Sequence, residues 1–341
     1  MKRRVGMADV AREAGVSLGT VSNVLNRPHL VAPSTHARIQ AVIDRLGYVR
    51  SEQARGLRGG TSRLVAVLVP DLANPFYSAL VRGAEERIRG AGLGVLVCNS
   101  ARDAAEELRL LGMLTEHQVR GAVLAPTDPG GAAVDALRRN GVPLVLADHR
   151  AAAEDACSVA VDDVLGGYLA ARHLLGSGHR TFVHVTGPAS LRQVRERRAG
   201  IARAFTEARV PLHGVRDLGC PELTVAAGRD AGGRLLGMPG RPTAVFCAND
   251  LLALGLMQTV YEAGLRVPRN LAVVGYDDID HAASAVVPLT SVRRPAAAMG
   301  ATAAARLLAE TTGELAGHRH EQTLLEPELV VRASTGSPCG P

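Results

Sequence analysis

Eight short, nearly uninterrupted apolar runs constrain this chain more than any other feature in it. They are LVAVLV (Leu64–Val69), GVLVCN, GAVLAP, PLVLAD, SVAVD, TFVHVT, TAVFCA and LAVVGY, with helical stretches between most of them. Continuous Val/Leu/Ala runs of this length read as strands buried on both faces, not as the alternating strands of a sheet with one wet side. Strand and helix alternating so often predict a doubly wound parallel sheet, or a pair of them. A single dinucleotide-binding domain would need fewer units. Gly90–Gly94 resembles a phosphate loop only superficially, because it follows a helix and precedes a strand, the reverse of the order such a site requires.

Ahead of Arg63 the pattern is purely helical. Met7, Val10, Ala11 and Ala14 form one apolar stripe, and after Gly15 and Val16 a second appears at Val21, Val24 and Leu25. Ala11 is small enough for a close helix crossing, Gly15 tolerates the positive φ of a sharp turn, and Ser17 is placed to cap the second helix. These are the steric requirements of a helix-turn-helix. Leu18, Gly19, Ser22 and Asn23 on the outer side of the second helix are short and non-acidic, as a helix entering the major groove needs to be. A third helix is predicted over Pro33–Leu46, facing the others through Ile39, Val42, Ile43 and Leu46 and ended by Gly47. Gly15–Gly19 also fits the G-x-S-x-G pattern of a hydrolase elbow, but that elbow needs a buried strand before its Ser, and Met7–Ala14 is helix-patterned.

Residues 1–60 carry 10 Lys/Arg against 4 Asp/Glu, whereas the remainder carries 29 of each, so the whole net charge of +6 lies in the first sixth of the chain. Set among folded helical patterns, that excess favours a phosphate-facing surface. Cys98, Cys157, Cys220, Cys247 and Cys339 are odd in number, scattered and free of any C-x-x-C, which argues against a disulfide framework or a zinc site. His318 and His320 form an H-x-H in a Gly-bearing loop and are read as solvated, so neither metal nor cofactor is expected. No run has the apolar length of a membrane helix, and MKRRVGMADV turns charged before any signal-peptide core could form. A cytoplasmic location without membrane association is therefore expected.

Met7–Asn26 resembles the DNA-binding headpiece of the LacI/GalR (lactose and galactose repressor) family of transcription regulators. YVRSEQARGL (Tyr48–Leu57) resembles that family's hinge helix, and NPFY, VDD, RERRAG, AND and VGYDD recur in family order. The resemblance spans essentially the whole chain. It implies a small all-α helix-turn-helix headpiece (1–49), a hinge helix and linker (50–60), and a two-lobed periplasmic-binding-protein-like α/β domain (61–341) with two doubly wound parallel sheets. The N-lobe is expected at about 61–162 and 291–322 and the C-lobe at about 163–290 and 323–341, with crossings near Asp163, Thr290 and Thr323. The chain departs from the family at Ala32, where Ser is usual and a capping hydroxyl is missing. It departs again at Arg50 and Ser51, where Pro and Asn are common, and at Asn23, where Arg is frequent.

The resemblance further implies a homodimeric repressor, not an enzyme, that binds a pseudo-palindromic double-stranded operator. Leu18, Gly19 and Asn23 are expected to face bases, with Ser17, Thr20, Ser22 and Asn26 on phosphates. Arg50–Arg58 is polar except for Ala54 and Leu57 and too short to be a stable helix alone, and Leu57 aligns with the family residue that wedges between base steps. Ligands of open α/β sheets bind beyond the carboxyl ends of strands. That rule selects Asp71, Asn74, Phe76, Tyr77, Asp148, His149, Asn249, Asp250, Asp277 and Asp278, while Arg197 holds the Arg of the family's R-x-x-G pattern. The implied effector is a small polar molecule, a sugar or sugar derivative, with a nucleoside or phosphorylated corepressor as the alternative. Asn74, Asn249 and Asp250 are equally suited to capping the helices that follow them. A solute-binding protein leaves the headpiece unexplained, and a sugar-processing enzyme on a similar fold is the remaining competitor.

Overall fold

Gly15 and Gly47 adopt φ of 64° and 60°, the left-handed conformation that ends a helix without a Cβ penalty. They terminate the first and third helices of the N-terminal unit: α1 (Met7–Ala14), α2 (Leu18–Asn26) and α3 (Pro33–Leu46). The computed structural model describes residues 5–49, 62–127, 131–151, 156–240, 242–311 and 319–337. Ala54 and Leu57, and with them the hinge helix, lie outside the described residues. Val10, Ala11, Ala14, Val21, Val24, Ile39, Val42 and Ile43 close the core of the unit. Ser17 caps α2 by accepting the Thr20 N–H at 3.1 Å. A helix, not a strand, precedes that serine, which removes the hydrolase-elbow reading. Ala32 gives α3 no side-chain cap, and Pro33 opens that helix instead.

The chain divides into two compact units, Met1–Ser62 and Arg63–Pro341. In the second, all eight apolar runs are strands: β1 (Leu64–Val69), β2 (Gly94–Asn99), β3 (Ala122–Leu124), β4 (Leu144–Ala147), β5 (Cys157–Val161), β6 (Phe182–Thr186), β8 (Ala244–Cys247) and β9 (Ala272–Asp277). Four more join them: β7 (Val215–Gly219), β10 (Thr290–Arg293), β11 (Gln322–Leu325) and β12 (Glu328–Val330). The helices are α4 (Pro75–Gly90), α5 (Ala104–Glu116), α6 (Ala132–Arg139), α7 (Asp163–Gly176), α8 (Arg192–Glu207), α9 (Val225–Leu236), α10 (Asp250–Glu262), α11 (Asp280–Ser284) and α12 (Ala296–Thr311). No described helix is long and apolar enough to cross a membrane.

The strands form two six-stranded sheets, ordered β11-β5-β4-β3-β1-β2 and β12-β10-β9-β8-β6-β7. Every pairing is parallel except β10 with β12. Separate apolar clusters cover the two faces of each sheet, which is why the central runs carry no alternation. β2 departs from this reading: it is an edge strand, and Val97 on it is 44% exposed.

The first crossing between lobes falls at Asp162–Asp163, between β5 and α7. The other two differ from expectation. β10 belongs whole to the C-lobe sheet, so the chain crosses after Arg293, not at Thr290. β11 belongs to the N-lobe sheet, so the last crossing follows Leu325, not Thr323. Both strands are short and polar, and their ends leave no mark in hydropathy.

Helices pack in pairs through glycine against backbone. A Cβ on Gly83 or Gly300 would collide across α4 and α12, and one on Gly167 or Gly200 would collide across α7 and α8. The second pair fixes the backbone of Arg197 on α8, since a Cβ on Gly167 would collide with the Arg197 carbonyl.

Candidate DNA-reading helix and inter-lobe cleft

On α2 the buried side is Val21 and Val24, while Ser17, Leu18, Gly19, Asn23 and Asn26 are exposed and Thr20 and Ser22 half-buried. Ser17 and Thr20 hydroxyls share a hydrogen bond of 2.9 Å. Asn26 Nδ2 turns back to donate to the Ser22 carbonyl at 2.7 Å, which holds that amide against its own helix. Leu18, 53% exposed, is an apolar side chain at the start of the helix, on the same outer side as Gly19 and Asn23. Gly19 has no internal steric need to be glycine, since an added Cβ would meet only Ser17 Oγ at an ordinary 3.6 Å.

In the second unit, the residues after the strands converge as the carboxyl-end rule requires. Asn74 caps α4, its Oδ1 accepting the Phe76 N–H at 3.0 Å, and this sets Phe76 and Tyr77 into the N-lobe side of the cleft. Asp148 follows β4 with φ 57° and Asp277 ends β9 with φ 103°, so both carboxylates sit on left-handed backbone. Arg294, just past β10, joins them. Its guanidinium contacts Asp148 of the N-lobe and donates to Asp277 Oδ1 of the C-lobe at 3.2 Å, and it stacks 3.8 Å from the centre of the Phe76 ring. Tyr77 donates its O–H to Asp148 Oδ2 at 3.2 Å. Burial, reinforced by the Asp148 charge, pushes the Tyr77 phenol far above its usual range, so it remains a donor. Burial also raises Asp277, against the lowering pull of Arg294 and Arg197.

Arg197 and Asp277 line one small gap of about 20 Å³ with Asn74, Phe76, Tyr77, Asn249 and Arg294. Arg197 is engaged on its far side: Nε donates to Asp163 Oδ1 at 2.9 Å, Nη1 to the Ala248 carbonyl, and the guanidinium lies 3.7 Å over the Tyr276 ring. Although burial opposes its charge, Arg197 together with Arg294 holds the Asp163 carboxyl below its ordinary value. The larger part of the cleft, about 290 Å³, adjoins this gap through Tyr77, Arg102, Gln193 and Leu223 and is also lined by Asp148, His149, Ser190 and Arg192. Asp71 lines neither space but pairs with Arg102 at 3.4 Å.

Several expectations change here. Both ends of the Asn249 amide are engaged, Oδ1 accepting the Leu252 N–H at 2.9 Å and Nδ2 donating to the Leu223 carbonyl at 3.0 Å, so this residue caps α10 while also lining the gap. Asp250 accepts from the Ser291 hydroxyl and the Ile279 N–H inside the C-lobe, and Asp278 pairs with Arg293 and Arg332. Arg294, with its neighbours Arg102 and Gln193, was not selected. The carboxyl-end rule would have found Arg294 had TSVR been recognised as a strand.

A helix-turn-helix unit joined to a two-lobed α/β body with a charged cleft defines the class: a DNA-binding protein with a ligand-receiving domain. The family model described as bacterial regulatory proteins, lacI family, matches residues 6–51, and the periplasmic binding protein-like domain matches residues 171–335. The HTH-type transcriptional repressor PurR of Photobacterium profundum is 33% identical over 333 residues, covering 96% of this chain and 97% of the relative. The ribose operon repressor of Escherichia coli (strain K12) is 34% identical over 330 residues, covering 96% and 99%. Among solved structures, the lac repressor dimer bound to operator and the anti-inducer ONPF superposes with a TM-score of 0.83 at 28% identity, covering 98% of this chain and all of that one. The chain belongs to the lacI family of bacterial regulatory proteins. It is a sequence-specific DNA-binding transcriptional repressor under allosteric control by a small polar effector, not an enzyme.

Proposed function

We propose that this repressor reads its operator through Leu18, Gly19 and Asn23 and is switched by a monosaccharide-sized, hydroxyl-rich effector that enters between the lobes. The observation that carries the switch is the Arg294 bridge, in which one buried guanidinium holds a carboxylate from each lobe. A polyol can replace each half of that bridge, its hydroxyls donating to Asp148 and Asp277 and accepting from Arg294 and Arg197. The lobes are then free to take a different spacing. A ligand changes operator affinity only by as much as it prefers one spacing over the other, so the exchanged contacts are the source of the coupling.

The 290 Å³ space supports a sugar over a nucleotide, since it sits at the low end of ligand pockets. A face-on aromatic contact through Phe76 is unavailable while Arg294 covers that ring. The ribose operon repressor among the relatives agrees with a small sugar, and a nucleoside or phosphorylated corepressor is the second reading.

The protein acts as a homodimer in the cytoplasm, where its DNA lies. The dimer contact is assigned to an apolar groove of about 540 Å³ between the start of α4 and helices α9 and α10, bordered by Val286, whose side chain is 98% exposed.

In vitro selection of bound duplexes, followed by a release screen with pentoses, hexoses, sugar phosphates and nucleosides, tests this reading. A palindromic consensus released by a free sugar is expected. Failure of every sugar, with tightening by a purine base or nucleoside, would give the site to a corepressor.

A further inference from the structure

Cys157, Glu310 and His320 come from distant parts of the chain and meet at one place in the N-lobe. Cys157 begins β5, Glu310 lies in the last turn of α12, and His320 stands two residues before β11. One ligand atom from each, the thiol sulfur, a carboxylate oxygen and a ring nitrogen, lies within 4.8 Å of the other two. Cys157 is buried and the other two are half-buried, so His320 is not the solvated loop residue that its H-x-H spacing suggests.

We propose that this trio is a binding site for a thiophilic divalent metal ion of the zinc class, with the fourth position left to water. Sulfur, imidazole and carboxylate together are the donor set of such ions, whereas calcium and magnesium take oxygen alone. Metal–ligand bonds of about 2.0–2.3 Å separate tetrahedral donors by roughly 3.5 Å, so side-chain rotations of about an ångström close the site from its present spacing. The Glu321 N–H, 3.3 Å from the Cys157 sulfur, is placed to stabilise a coordinated thiolate. Among the described residues, Arg306 acts on Cys157 and pairs with Glu321.

The position gives the ion a mechanical role. β5 feeds the first crossing between lobes and β11 the last, and their pairing aligns Gln322 with Ser158. An ion held by Cys157, Glu310 and His320 would staple the entry of β11 to β5 and to the end of α12, stiffening the N-lobe side of two of the three crossings.

The test uses the full chain, reduced and freed of metal with a chelator, titrated with Co²⁺ and then Zn²⁺. Expected are one Co²⁺ per chain with thiolate-to-cobalt charge-transfer absorption, its displacement by Zn²⁺, and a higher unfolding temperature with Zn²⁺. Cys157→Ser should abolish the band, and His320→Gln and Glu310→Gln should each weaken affinity by about tenfold or more. Should Cys157→Ser fold poorly, His320→Gln carries the test, with its metal-free melting temperature as the control. No charge-transfer band, a band that survives Cys157→Ser, or affinity unchanged in His320→Gln would overturn the site.

Discussion

Gly19 and Asn23 illustrate how single residues divide between folding and function. Glycine in a helix costs up to about 1 kcal/mol relative to alanine, and nothing inside the headpiece requires it at position 19. On the proposed reading, the missing side chain lets the duplex approach α2 closely. Gly19→Ala is expected to raise the headpiece melting temperature while weakening operator binding; an alanine variant that binds as tightly as the parent would free Gly19 of that role. Asn23 is exposed and can bond bidentately to adenine, so Asn23→Ala should lose roughly 1–3 kcal/mol at one base pair per half-site. Selecting sequences with the variant checks this, and an unchanged preference at every position would reassign the readout. The exposure of both residues is legible in the sequence, because the stripe of apolar residues on α2 dictates which side faces out. Arg294 is not, because its importance comes from two carboxylates 146 and 17 residues away that no local pattern connects.

At the scale of elements, what was readable follows burial. The eight apolar runs all became strands, since a strand covered on both faces must be apolar throughout. β7, β10, β11 and β12 carry no apolar run because they are short and hold Arg, Asp, Thr, Gln or Glu; β7, β11 and β12 are sheet edges, where one side is wet, and β10 lies beside one. The misplaced crossings at Thr290 and Thr323 follow from those omissions. The start of α3 lacks a side-chain cap, as Ala32 implies, and leaves room for improvement. Ala32→Ser should let a hydroxyl accept an orphan N–H of the first turn and stabilise the headpiece by about 0.5–2 kcal/mol. Thermal unfolding of the full chain, followed at the headpiece transition, measures it; no gain would mean that Pro33 already fulfils the capping role.

For the whole molecule, an apolar groove bordered by a 98% exposed valine is a liability in a monomer and an asset in a dimer. Val286→Glu should shift the protein toward monomer in sedimentation and reduce operator affinity at low protein concentration, with effector binding retained; a variant that stays dimeric would move the contact elsewhere. On the proposed function, duplex recognition at α2 is coupled to ligand exchange at the Arg294 bridge. Fluorescence anisotropy on the selected operator, at several salt concentrations with and without the effector found by the release screen, tests it most directly in the parent and in Asp277→Ala. Expected are binding that weakens steeply with salt, a large effector-dependent change in the parent, and operator binding without that response in Asp277→Ala. An effector response of full size in Asp277→Ala would contradict it.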